Sequence, residues 1–355
     1  MITSSRRAMT SRERIEALYH RQPVDRVGFM HRGYGFCARN VGYAVADIYE
    51  HPRRSFEAQL WTFEQYGADN TPFYSFSSYG AWEFGGQVKW PDDRVATGPT
   101  IARRPVQEPD DLWKLEVGNV RNLGCIPKMI EFGRLQKAHG LPVGFICGSP
   151  FTHAANLCGV DQFLLWLLDC PEAAHRALRL VTDLNLAVAR YFVDTFGAEH
   201  VMPRSAAPTE SNALISPRQF EEFALPYLKE LHERVLGMGV KSIYCHICGD
   251  HNANLPLWAR VPFGDPGMLS IGHEVDVLKA AETFPEHIIM GNVDTQIIAR
   301  GTPDQITEAC RQVIEKGKQI RSGFVLSASC ELPATTPPYH IYLMAKARDQ
   351  FGWYD

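Results

Sequence analysis

The stretch YCHICGD, residues 244–250, sets His246 and Cys248 two positions apart in an otherwise apolar run. An imidazole and a thiolate are donors that suit a zinc ion. Side chains alternate faces along a strand, so Tyr244, His246 and Cys248 share one face while Ile243, Cys245 and Ile247 share the other. A third donor is available far downstream in FVLSASC, where the same parity aligns Phe324, Leu326, Ala328 and Cys330. Three protein ligands with an open fourth position make a catalytic zinc site, whereas a structural zinc more often closes with four ligands in two short-spaced pairs. The competing reading is a core histidine beside a buried cysteine, and the residues alone leave both open. His273, His251 and Cys245 are neighbouring alternatives, but Cys245 points to the wrong face and His251 falls in the following loop.

Other residues could complete such a site. Glu210, after VMPRSAAPT, could be a fourth ligand or a general acid, or equally a helix-entry charge. Asn292 and Asp294 in GNVD stand where a strand should end, as substrate contacts or as turn formers. His31 and Arg32 could orient a carboxylate or phenol of a substrate; a solvated role competes for Arg32. The segments MHRGYGFCARNVGY and PFYSFSSYGAWEF are rich in rings: Phe29 just before the first, then Tyr34, Phe36, Phe73, Tyr74, Phe76, Tyr79, Trp82 and Phe84. They could line a pocket for an aromatic substrate or fill the core.

The elements that must position these residues alternate in type. Short apolar runs in PVGFICGSP, EHVMPRS, VKSIYCHICG, MLSIGHE, EHIIMGNVD and GFVLSASCEL read as strands, with helical stretches between them. Strands alternating with helices imply a parallel sheet, and the absence of a GxGxxG fingerprint favours a closed (β/α)8 TIM barrel over a dinucleotide-binding open sheet. His246, Cys248, Cys330, Asn292 and Asp294 then fall at the C-terminal strand ends, where barrels place their chemistry. Thr10 and Glu13 predict a capping box for the first helix, Ser216 predicts a helix start and Gly237 its end. Residues 70–100 read as irregular or β-rich, part of an N-terminal helical and aromatic-rich extension. No linker or repeat divides residues 1–355, which read as a single domain.

Composition limits the function classes. A formal net charge of −4 without a basic stripe argues against nucleic acid, and no apolar run nears the ~20 residues that span a bilayer. The N-terminus lacks a secretory apolar stretch, and nine scattered cysteines suit free thiols, so a cytoplasmic location is expected.

Several segments taken together resemble the uroporphyrinogen decarboxylase superfamily: RQPVDRVGF, GSPFTHAANLCG, ISPRQFEEFALPYLKELHE, HIIMGNVDT and FVLSASCELPATTPP. The resemblance implies a (β/α)8 barrel and one of two activities. The metal-free decarboxylase branch has an early RQAGRY segment that holds substrate carboxylates; the corresponding stretch here is MHRGYGF, leaving Arg32 alone. The zinc branch has an HxC and a distant Cys after a G-(Y/F)-(I/V)-L strand, which His246, Cys248 and Cys330 match. Membership of that branch implies a Zn2+ enzyme exchanging a methyl group with a corrinoid (cobalamin) carried by a partner protein. The expectation is therefore a methyltransferase acting in O-demethylation, taking methyl from a small methylated substrate, with the rings favouring an aryl methyl ether. A methylcobamide:thiol methyltransferase of coenzyme M type is the alternative, and porphyrinogen decarboxylation a further one. Donor identity, direction and a homodimer stay open.

Overall fold

The computed structural model describes residues 8–92 and 98–354. Residues 1–7, residues 93–97 of the stretch 70–100 and Asp355 lie outside the described residues.

Nine strands occur among the described residues: β1 (Gly28–Phe29), β2 (Gln87–Lys89), β3 (Thr100–Arg103), β4 (Val143–Ile146), β5 (Val201–Ala206), β6 (Tyr244–Ile247), β7 (Met268–Ile271), β8 (Ile288–Val293) and β9 (Phe324–Ala328). Seven of them form one sheet in the order β1-β9-β8-β7-β6-β5-β4, with every pairing parallel. β2 and β3 pair separately as an antiparallel ribbon. Most strands of the seven-stranded sheet are fully buried and largely apolar because helices cover them outside and side chains fill the lumen inside. The β/α barrel architecture expected from the alternation is thus the observed one.

The ladder itself is interrupted between β1 and β4, and the irregular segment 69–73 occupies that position. Asp69 donates its N–H to Phe29 O at 2.6 Å, and Asn70 exchanges two hydrogen bonds with the His31 backbone at 2.9 and 3.0 Å. On the other side Gln136 bridges to β4: its Nε2 donates to Pro72 O at 2.7 Å while its Oε1 accepts from Gly144 N at 3.1 Å. Gln59 bonds Phe73 in both directions, at 2.9 and 2.8 Å. Side-chain amides therefore satisfy buried backbone groups that a regular strand would pair with its neighbours.

Helix Ser11–Tyr19 begins with the expected Thr10/Glu13 capping box. Its Arg14 is 1% exposed and grips Asp25 at 2.8 Å and Asp69 at 2.7 Å, tying the helix to segment 69–73. Ser216 caps the next expected helix, yet residues Phe220–Ala224 form a π turn before Leu225–Leu236. Pro226 explains the wider turn: it has no N–H for residue 222 and its ring crowds that carbonyl. The helix ends at Gly237 with ordinary right-handed backbone, and the left-handed turn comes at Gly239. Residues 70–92 are irregular apart from a 3-10 turn at Trp82–Phe84 and β2. All nine cysteines are free thiols, and no helix among the described residues is long and apolar enough to cross a membrane.

Candidate metal centre

His246 is the third residue of β6, Cys248 follows that strand directly, and Cys330 lies two residues past β9. One ring nitrogen and the two sulfurs lie within 4.8 Å of one another. The strand parity is as expected, with Cys245 fully buried on the opposite face. Gly249 (φ +86°) turns the chain away after Cys248, and Gly272 packs on its backbone so closely that a Cβ there would sit 2.7 Å from Gly249 N. Two glycines thus let the loops after β6 and β7 meet at the rim of the cluster.

The geometry fits a zinc ion. Two thiolates at ~2.3 Å from a tetrahedral zinc would stand ~3.8 Å apart; Cys248 Sγ and Cys330 Sγ are 3.6 Å apart. The hydrogen bond between these sulfurs holds Cys330 well below the usual thiol range and drives Cys248 above it, so one proton serves two sulfurs. Burial, helped by the nearby Arg32, lowers the His246 pKa and keeps the imidazole neutral, the state a metal requires. His246 Nε2 is buried without a hydrogen-bond partner, while Nδ1 lies 3.0 Å from Ser270 Oγ. Placing the ring proton on Nδ1, donated to Ser270, leaves Nε2 as a free lone pair. Arg32 Nη1 donates to the same Ser270 Oγ at 3.2 Å. Although burial opposes it, the surrounding Tyr244 and Cys330 hold the Arg32 guanidinium charged. Ser270 and this role of Arg32 escaped the sequence reading; a lone serine inside MLSIG, in register with His246 on the neighbouring strand, was the available signal.

The other expected residues are placed differently. Glu210 lies outside the cluster. Its carboxyl takes hydrogen bonds from Ser149 Oγ and from Thr152 Oγ1 (2.8 Å), and burial raises its pKa to about 8. Asp294 caps helix Thr295–Arg300 through Gln296 N at 2.8 Å, and Asn292 ties the loop after β7 by donating to Gly272 O and Val275 O. These are turn-forming roles, so the direct substrate or acid functions expected of Asn292 and Asp294 gain no support from their contacts. His31 is a core histidine with both ring nitrogens unpartnered, set edge-on to Phe36, Phe63 and Tyr66; burial lowers its pKa to about 3. His251 accepts from Trp258 Nε1 at 3.0 Å and is structural.

The aromatic expectation needs correcting. Tyr34 lines a lumen cavity of about 50 Å³ below the cluster. Phe36, Tyr74, Phe76 and Tyr79 are instead core residues, with Tyr79 against His153 at 4.6 Å, and Trp82 packs on Phe76 and Trp90. Ring count in a segment says nothing about which way each ring points, and an irregular segment must bury its rings to be stable.

The fold and the cluster define a β/α barrel with a candidate three-donor metal centre at the C-terminal ends of β6 and β9. The chain belongs to the uroporphyrinogen decarboxylase (URO-D) family, whose model matches residues 10–351. It is 28% identical over 260 residues to a methylcobamide:CoM methyltransferase of Methanosarcina acetivorans, covering 72% of each chain. It is 27% identical to a methylated-thiol–coenzyme M methyltransferase of Methanosarcina mazei, covering 71% of this chain and 65% of the relative. A uroporphyrinogen decarboxylase of Homo sapiens matches at 29% over 39% of this chain and 38% of its own. The fold superposes on a methyltransferase from Methanosarcina mazei with a TM-score of 0.80, at 22% identity over 97% of this chain and 99% of that one.

Proposed function

We propose that the protein is a zinc-dependent methyltransferase that moves a methyl group from a small methylated substrate to the Co(I) corrinoid of a partner protein. The observation that carries this reading is the cluster itself: His246, Cys248 and Cys330 offer three donors in zinc geometry, with a buried Nε2 that has no other partner. The long relatives named as methylcobamide and methylated-thiol methyltransferases support the same class. A zinc ion held by these three residues would supply Lewis acidity to the heteroatom that carries or accepts the methyl group. Ser270 fixes the imidazole tautomer, and Arg32 steadies Ser270 while adding a positive charge beside the two sulfurs. The neutral Glu210 carboxyl braces the loop after β5 against helix Pro150–Cys158.

An aryl methyl ether remains within the proposed donor class, although the rings that suggested it pack mainly in the core. Transfer from methylcobamide to a thiol is the second reading, favoured by the names of the relatives. Mixing the protein with a reduced corrinoid protein and a panel of methoxyarenes, methyl thioethers, methanol and methylamines tests the choice. The proposed direction predicts conversion of Co(I) to methyl-Co(III) absorbance with at least one ether or thioether. Transfer to thiols with no uptake from any donor would select the second reading. Decarboxylation of a porphyrinogen by metal-free protein would sink both.

A further inference from the structure

We infer that the barrel lumen below the metal cluster is an anion subsite in which Arg204 holds the carboxylate head of a small methylated substrate. The inference deepens the proposed methyltransferase reading and rests on it for the word methylated. Arg204 pairs with Tyr244 across β5 and β6, while Ala206 pairs with His246, so the arginine stands one strand layer, ~7 Å, below the candidate metal ligand. Its side chain lines the lumen cavity with Arg32, Tyr19, Tyr34, Asn70 and Tyr244.

The guanidinium is built for a ligand it does not find in the chain. Phe73 and Tyr244 pack against it, with ring centroids 4.5 and 5.2 Å from Cζ, an aromatic bracket that suits a planar guanidinium. Its Nε is buried without a hydrogen-bond partner, and Nη2 has one long bond, 3.4 Å, to Thr71 O. No carboxylate among the described residues forms an ion pair with it. The phenols of Tyr19 and Tyr34 are both pushed up to about 12 by burial, so they are neutral and can donate.

Two arginines and, among the described residues, no carboxylate line the cavity, which favours an anion there. A zinc ion with two thiolates and a neutral imidazole carries no net charge. Arg32 and Arg204 add two positive charges at the cavity; Glu331, beside Cys330, and Glu274, near Cys248, belong to the cluster above it. Arg204 is partly buried and its Nε has no hydrogen-bond partner, so a carboxylate entering the lumen would be well held. The metal above would then face the heteroatom of a molecule only a few bonds long.

The test compares methoxyacetate with its near-isosteric neutral analogue methoxyacetamide, titrated calorimetrically into zinc-loaded protein. The wild type should bind the carboxylate about tenfold or more tightly than the amide. Arg204→Met should bring that ratio close to one, and Arg204→Lys should restore part of it. Should Arg204→Met fail to fold, Arg204→Gln replaces it and should bring the ratio close to one in the same way. A carboxylate bound no more tightly than the amide, neither binding included, overturns the subsite, as does a preference that survives loss of the arginine. Methyl transfer is not read in this titration. Failure of the corrinoid reading would leave a measured preference standing, and transfer from neutral donors alone would keep the function and sink the subsite.

Discussion

Ser270 Oγ stands 3.0 Å from His246 Nδ1, across the β6–β7 pairing, and so determines which ring nitrogen is free. Outer hydrogen bonds of this kind typically contribute ten- to a hundredfold to metal affinity. Ser270→Ala should therefore weaken zinc binding by about that factor while leaving the fold intact, because the site accommodates a smaller side chain. Competition against a chromogenic chelator measures the affinity. An unchanged affinity would mean that the tautomer is set by something other than Ser270.

Segment 69–73 holds the barrel together between β1 and β4 through side-chain amides. Gln136→Leu would leave Pro72 O and Gly144 N without their partner in a fully buried setting. Each such orphan costs ~1–3 kcal/mol, so a loss of about 2–5 kcal/mol is expected in denaturant unfolding. A loss below ~1 kcal/mol would show that the segment finds other partners readily.

Glu210 predicts how stability depends on pH. Burial raises its folded pKa from 4.5 to about 8, so it favours the folded state below pH 4.5. That contribution fades as pH rises and is gone once pH passes about 8, for a change on the order of a few kcal/mol. Glu210→Gln cannot titrate, so its melting temperature should fall less than that of the wild type between pH 5 and pH 8. Parallel curves for the two proteins would place the Glu210 pKa near its ordinary value.

Strand parity put His246 and Cys248 on one face and aligned Cys330 at another strand end, because alternation is a local property, but the residues left a core histidine beside a cysteine equally open until the resemblance to the zinc branch joined the three. Their convergence depended on the barrel closing, which the alternation of elements implied. What the sequence hid was relational. Ser270 becomes meaningful only when β7 is laid beside β6, and Arg204 only when Tyr244 and Phe73 close around it. The interrupted ladder was hidden too, since Gln59, Asn70 and Gln136 read as ordinary polar residues until their amides are seen bonding backbone. The ring-rich segments misled for the opposite reason: composition suggested a pocket lining, and packing turns most of those rings inward. Glu210, Asn292 and Asp294 stand out as polar residues near strand ends, but their contacts give them bracing and capping work.

If His246, Cys248 and Cys330 form one metal site, elemental analysis of the chain shows it most directly. Wild-type protein purified with zinc present should carry one zinc per chain. Cys330→Ala should carry none and keep its far-ultraviolet circular dichroism, because β6 and β9 are held by their ladders and the core rather than by the metal. Wild-type protein that binds no zinc, or a Cys330→Ala variant that retains a full equivalent, would contradict the account.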